Sequence, residues 1–305
     1  MSSTQLSNAF QVLLPVPIAT RYKSRWGRTS PVVFFNTGMR SGPFAANRNL
    51  LRYSGDMRKP WIVAHRGASG YAPENTFAAF ERAVALGAGF IETDIRLTRD
   101  ARFVAMHDEM LDRTTNGRGE VQDHTLAELR ELDTGHWFDR EFNGQRIPTL
   151  DEILEFGKRH DVVFYLEVKY DTAMGMHHAL VAELRRAESA ARTIVISFDP
   201  GMLASLRELD ASIMTGLLVD RGVAAETAVN KAVDAGARQL CPHYSVATPE
   251  LVEQAHAAGL QVVAWTVNEL SDMRRVIAAG VDGIMTDLPD RLRAMIEEPD
   301  LDAVH

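Results

Sequence analysis

Four short groups in this 305-residue chain are of types that could share one reaction: His65-Arg66-Gly67, Glu92-x-Asp94, His107-Asp108 and Glu167-x-Lys169. Residues two apart on a strand face the same way, so Glu92 and Asp94 share a side, as do Glu167 and Lys169. Three carboxylates converging on one point repel one another unless a cation neutralises them. All-oxygen ligation favours one hard divalent ion, Ca2+ or Mg2+, over zinc. Histidine, with an unperturbed pKa of about 6.5, suits proton transfer near neutral pH. Arg66 and Lys169 add positive charge where an anionic substrate could bind. Together these parts suit displacement at phosphorus. The metal and cations would stabilise the phosphoryl oxygens, while one histidine activates the nucleophile and the other protonates the leaving alcohol.

The elements that must position these residues follow from periodicity. Short β-branched runs begin at Trp61, Phe90, Arg102, Val162, Thr193, Ile213, Gln239, Gln261 and Gly283, with amphipathic helical stretches between most of them. Asn75, Thr248 and Ser271 supply helix-start chemistry, and Gly87, Gly236, Gly259 and Gly280 follow Ala-rich helix ends. Repeated strand–helix units imply an α/β fold with a parallel sheet. A closed (β/α)8 TIM barrel is the simplest solution, and a doubly wound open sheet is the alternative. Between Ile95 and Arg102 there is no room for a crossover helix, so those strands form an antiparallel hairpin. A two-residue turn at Asp100-Ala101 would pair Arg99 with Arg102 and Asp94 with His107. All four groups then lie at strand C-termini, where barrels carry their active sites.

The run His65 to Thr76 (His-Arg-Gly-Ala-Ser-Gly-Tyr-Ala-Pro-Glu-Asn-Thr) resembles the signature of the glycerophosphodiester phosphodiesterase family. So do Glu92-Thr-Asp94, His107-Asp108, Asp112-Arg-Thr-Thr, Glu167-Val-Lys169, Ser197-Phe198-Asp199, Trp265-Thr-Val-Asn268 and Thr286-Asp287. The resemblance covers essentially 60–292, in family order. It implies a barrel hydrolysing glycerophosphodiesters to glycerol 3-phosphate and an alcohol. It implies His65 and His107 as the acid/base pair and Glu92, Asp94 and Glu167 as ligands of one divalent cation. Arg66 and Lys169 match phosphate-contacting positions, Trp265 a wall of the substrate pocket, and 108–148 an insertion over the barrel mouth. Gly89 and Ala101 stand where the family often has Asp and Gly. Two rival readings remain: a lysophospholipase D acting on monoacyl lysophospholipids, and a catalytically silent barrel that binds phosphates or a protein.

Composition narrows the classes. Hydrophobic residues are 46% and charged residues 24%, as in a globular protein. No apolar run approaches the ~18–20 residues of a membrane-spanning helix. Cys241 is the only cysteine, so no intramolecular disulfide or multi-cysteine zinc site can form. The net charge of −8 argues against nucleic acid as a partner. Residues 1–56 hold seven Lys/Arg and one acid, Asp56, leaving +6 there and −14 on the remainder. They are expected to form a disordered or non-native extension, with a targeting leader as the alternative, and 57–305 to form the barrel. Without an export signal or disulfides, a cytoplasmic location is expected. Among the other candidates, His243 could line the mouth, Cys241 reads as a buried packing residue, and Trp137-Phe138 as an apolar cover.

Overall fold

Every strand of the central sheet alternates, and the alternation sorts its side chains into two cores. Phe90, Val163, Tyr165, Ile194, Ile196, Leu218, Cys241, Val263 and Met285 pack together on one face. Ile91, Ile95, Phe164, Leu166 and Val195 pack on the other with helix residues such as Phe80 and Phe156. A sheet buried on both faces, with one face lined only by its own strands, is a barrel filled by side chains. The computed structural model describes residues 59–169 and 175–297, so the expected extension at 1–56 lies outside the described residues.

The strands are β1 (Trp61–Ala64), β2 (Phe90–Leu97), β3 (Phe103–Ala105), β4 (Val163–Val168), β5 (Thr193–Ser197), β6 (Met214–Val219), β7 (Gln239–Pro242), β8 (Gln261–Ala264) and β9 (Gly283–Thr286). All except β3 pair in parallel, and β1 pairs with both β2 and β9, which closes an eight-stranded barrel. The helices are α1 (Phe77–Ala85), α2 (Leu126–Arg130), α3 (Leu150–His160), α4 (Met176–Arg186), α5 (Pro200–Leu209), α6 (Ala225–Asp234), α7 (Pro249–Ala257), α8 (Leu270–Ala279) and α9 (Pro289–Glu297). This is a (β/α)8 barrel, and the doubly wound alternative falls with the β1–β9 pairing. No helix among the described residues is long and apolar enough to cross a membrane.

The hairpin is real, but its register differs by one from the expected one. Ile95 faces Ala105 and Leu97 faces Phe103, so Asp94 lies across from Met106 rather than His107. The turn holds three residues, Arg99 to Ala101, closed by Thr98 N–H donating to Arg102 O at 2.9 Å. Ala101 takes φ 55°, the left-handed position that ends a three-residue hairpin loop. His107 nevertheless stays at the site. The ladder stops at Ala105, and the Arg96 guanidinium holds the His107 carbonyl from Nε at 3.0 Å and Nη2 at 2.9 Å.

Two expected helix starts also move. Thr76, not Asn75, caps α1, because Asn75 turns left-handed (φ 58°) and sends its amide into the barrel mouth. The cap of α8 is Glu269, which leaves Ser271 inside the helix with Asp272 supplying negative charge to the first turn. Thr248 caps α7 as expected. The insertion between β3 and α3 packs a small core against Val104 of β3, with Met106, Leu111, Val121, Leu129 and Ile147 all buried.

Candidate active site

Continuing each strand's inward alternation to its C-terminal end brings the four groups together. On β2 the inward series runs Phe90, Glu92, Asp94; on β4 it runs Val163, Tyr165, Glu167. Asp94 pairs with Glu167 and Glu92 with Tyr165, so the three acids stand in adjacent layers at the top of the barrel. One oxygen from each of Glu92, Asp94 and Glu167 lies within 4.8 Å of the others.

Their electrostatics are those of a crowded, dry site. Burial pushes Glu92 well above the usual carboxylate range, and Asp94 and Glu167 push it further, against Arg66 and Lys169. Burial and Asp94 likewise raise Glu167. Burial would raise Asp94 too, but Lys169, Arg66 and His107 outweigh it and hold Asp94 far below its ordinary value. The Lys169 ammonium meets Asp94 Oδ1 at 2.8 Å and also contacts Glu167. Arg66 Nε lies 3.2 Å from Asp94 Oδ2, and Arg66 N–H donates to Glu92 Oε2 at 2.9 Å. Glu92 Oε1 is buried and accepts no hydrogen bond among the described residues. A carboxylate oxygen left bare beside two other acids is the kind of donor a divalent cation would complete, so the residues fit such an ion.

The two histidines stand beside the triad, each with Nδ1 against an aspartate. His65 Nδ1 is 2.7 Å from Asp287 Oδ1, and its Nε2 is 3.9 Å from Glu92 Oε2. Asp287 also accepts from Ser69 Oγ at 2.9 Å and from Asn268 Nδ2 at 2.5 Å. Burial would raise Asp287, but these donors, His65 foremost, bring it down to about 2. His107 Nδ1 is 2.6 Å from Asp108 Oδ1. Burial lowers the His107 pKa, with Arg66 and Lys169 adding to the effect against Asp94 and Asp108.

Trp265 stands at the mouth one residue past β8. Its ring meets Phe198 edge-on at 5.6 Å and His243 edge-on at 5.3 Å. Phe198 is 48% exposed, and His243 is buried with Arg221 Nε 3.2 Å from its Nε2. Cys241 is buried, and burial raises its thiol, in keeping with a packing role. Trp137 and Phe138 pack on each other, and Phe138 on Phe142, within the insertion.

A profile of the Glycerophosphoryl diester phosphodiesterase family matches residues 65–291. The chain is 39% identical over 242 residues to a glycerophosphodiester phosphodiesterase of Caldanaerobacter subterraneus, covering 79% of this chain and 99% of that one. It is 38% identical over 251 residues to a Bacillus subtilis enzyme of the same name, covering 75% and 83%. The chain belongs to the glycerophosphoryl diester phosphodiesterase family. Solved structures agree. A Silicibacter pomeroyi protein described as a glycerophosphoryl diester phosphodiesterase superposes with a TM-score of 0.75 at 30% identity, covering 83% of this chain and 98% of that one. An Oleispira antarctica phosphodiesterase in complex with the product sn-glycerol-3-phosphate superposes at 0.71 and 30% identity, covering 78% and 97%.

The family match contains every candidate residue, from His65 to Trp265. The structure brings His65, Arg66, Glu92, Asp94, His107, Glu167 and Lys169 to one cluster and sets Trp265 in an aromatic wall at the same end of the barrel. Sequence reasoning assigned no role to Asp287, Asp108 or Asn268, although each lies in a quoted motif. It took Asn75 for a helix start. In the structure Asn75 Nδ2 donates to Asp94 Oδ2 at 2.8 Å, while its Oδ1 accepts from Thr93 Oγ1 at 2.7 Å.

Proposed function

We propose that this chain hydrolyses glycerophosphodiesters, the deacylated headgroups of phospholipids, to sn-glycerol 3-phosphate and an alcohol. His65 and His107 form the acid/base pair, and Glu92, Asp94 and Glu167 hold one divalent cation, Ca2+ or Mg2+. The observation that carries this reading is the pairing of two Nδ1-anchored histidines with a bare-edged carboxylate triad in one barrel mouth. When bound, the cation would supply charge stabilisation to a phosphoryl oxygen.

The remaining work falls to side chains of this chain. A carboxylate on Nδ1 fixes the imidazole tautomer and leaves Nε2 to exchange the proton. One histidine takes a proton from the attacking hydroxyl, either water or the substrate's own glycerol hydroxyl. The other gives a proton to the departing alcohol oxygen as the P–O bond breaks. Water attack gives both products in one step. Attack by the glycerol hydroxyl releases the alcohol and leaves a cyclic phosphate, which water then opens at phosphorus, the ring oxygen leaving with a proton, to give glycerol 3-phosphate. Arg66 and Lys169 stand where a phosphate's remaining charge needs partners. Trp265 and Phe198 offer an apolar wall to the rest of the substrate.

The exposed Phe198, with Met110 44% exposed in the insertion, gives some support to the lysophospholipase D reading, which needs apolar surface for an acyl chain. The test is glycerol 3-phosphate release by the full chain from a panel of glycerophosphodiesters, with chelator and then with Ca2+ or Mg2+ restored. Release that stops with chelator and returns with metal is expected. Turnover of lysophosphatidylcholine but not glycerophosphocholine would select the monoacyl reading. Silence toward every diester and metal would leave the non-catalytic barrel.

A further inference from the structure

The second histidine stands at the root of the insertion, and one arginine ties the start of the insertion to the barrel. Arg113, in the Asp112-Arg-Thr-Thr run, donates to Asp108 Oδ2 from Nε at 2.6 Å and to Oδ1 from Nη2 at 3.1 Å. The same guanidinium donates to both oxygens of Glu74, from Nη1 and Nη2 at 2.8 Å each. Glu74 lies between β1 and α1 and accepts from Arg66 Nη1 at 2.9 Å. Asp108 in turn meets His107. An unbroken run of charged groups therefore joins Arg66, Glu74, Arg113, Asp108 and His107.

The geometry needs an arginine. Only a planar fork with five donors can serve two carboxylates bidentately at once, and an ammonium is a point charge. The carboxylates depend on it in return. Arg113's hydrogen bonds lead in pulling Asp108 far below its ordinary pKa. Burial would raise Glu74, but Arg113 and Arg66 hold it low. The junction is buried at one end and open at the other: the Glu74 side chain is 12% exposed and that of Arg113 44%.

We propose that Arg113 is a positioning residue for the phosphodiester reaction: its fork between Asp108 and Glu74 holds the His107 imidazole against the barrel mouth. The proposal rests on the diesterase reading of the same site. Arg113 touches no reacting atom; it acts through Asp108.

The charged groups facing His107 are Asp94 on β2, Arg66 after β1, Lys169 after β4, and Asp108 beside it. Against that fixed background the signs are opposite for two substitutions. Arg113→Met strips the cation from Asp108, whose uncompensated carboxylate then favours the imidazolium, so His107 titrates at higher pH. Asp108→Asn removes the carboxylate, so His107 titrates at lower pH.

The experiment measures kcat and KM on glycerophosphoethanolamine and follows the His107 imidazole by NMR titration in the full chain. Arg113→Met is expected to lower kcat about 10–100-fold with KM within about threefold, and to raise the His107 pKa. Arg113→Lys, which keeps the charge without the fork, should titrate near wild type and lose several-fold in kcat; it carries the test should Arg113→Met not fold. In an Asp108→Asn background, Arg113→Met should change little more. Equal kcat losses in both arginine variants with His107 titrating as in wild type would reduce Arg113 to a structural brace and overturn the proposal, as would no loss at all. A wild-type chain silent toward every diester would defeat the diesterase reading instead, and the His107 titrations would still judge Arg113.

Discussion

His65 and His107 both set Nδ1 against an aspartate, yet the molecule makes the two pairs by different routes. The partner of His65 is 222 residues away in the chain and arrives only because β9 closes the barrel against β1. The partner of His107 is its neighbour in sequence, and what steadies it is Arg113 in the insertion. The His65 side chain is 17% exposed and that of His107 33%. The first pair is therefore as durable as barrel closure. The second is only as durable as the docking of the insertion, whose small core packs on Val104 of β3.

The largest effect treats the two histidines alike. His65→Ala and His107→Ala should each lower kcat/KM by about 10²–10⁴-fold, as loss of a general acid or base does. Steady-state kinetics on one glycerophosphodiester would show it. A loss confined to one variant would break the pairing of roles.

The supporting aspartates should then separate the two regions. Asp287→Asn places an amide against Asn268 Nδ2 and Ser69, so it should cost about 1–3 kcal/mol of stability, whereas Asp108→Asn should cost less because its partner Arg113 is 44% exposed and can turn to water. Thermal unfolding of the two variants checks this. Asp287 also gives the difference a pH signature. Its folded pKa of about 2 lies below the unfolded value of about 3.9, so its stabilisation is present above the unfolded pKa and is lost as pH falls through the folded one. Between pH 4 and pH 2 the wild type should lose up to about 2 kcal/mol that Asp287→Asn has already lost. Parallel pH curves for the two proteins would contradict this.

A smaller effect sharpens the comparison without mutation. The Leu111 amide, bonded to Gly119 O inside the insertion, should exchange hydrogen at least about tenfold faster than the His65 amide, bonded to Thr286 O across the closing seam. Equal protection would mean that insertion and barrel open as one unit.

The same contrast decides what could be read from the sequence. Glu92, Asp94 and Glu167 were legible because a period of two fixes their facing once they sit on strands. The barrel was legible from its strand–helix cadence. His107 was placed at the site for partly the wrong reason: the expected two-residue turn put it opposite Asp94. Ala101 took the left-handed position of a three-residue turn, the register moved by one, and Arg96 drew the chain back. Asp287 was visible as a motif residue, but its role exists only after closure. Asn75 looked like a helix start because Asn is a good cap, and its left-handed backbone aimed it elsewhere. Arg113 and Glu74 stood in quoted motifs without a role, since nothing local shows that they meet across 39 positions.

The central claim is that the two histidines divide the proton work of one displacement. The most direct measurement compares His65→Ala and His107→Ala on an alkyl glycerophosphodiester and on its p-nitrophenyl counterpart, whose leaving group needs no proton. The account predicts that one variant, and only one, regains most of its activity on the p-nitrophenyl substrate. That variant lacks the acid, and the other, still impaired, lacks the base. Recovery by both, or by neither, would contradict an acid/base pair.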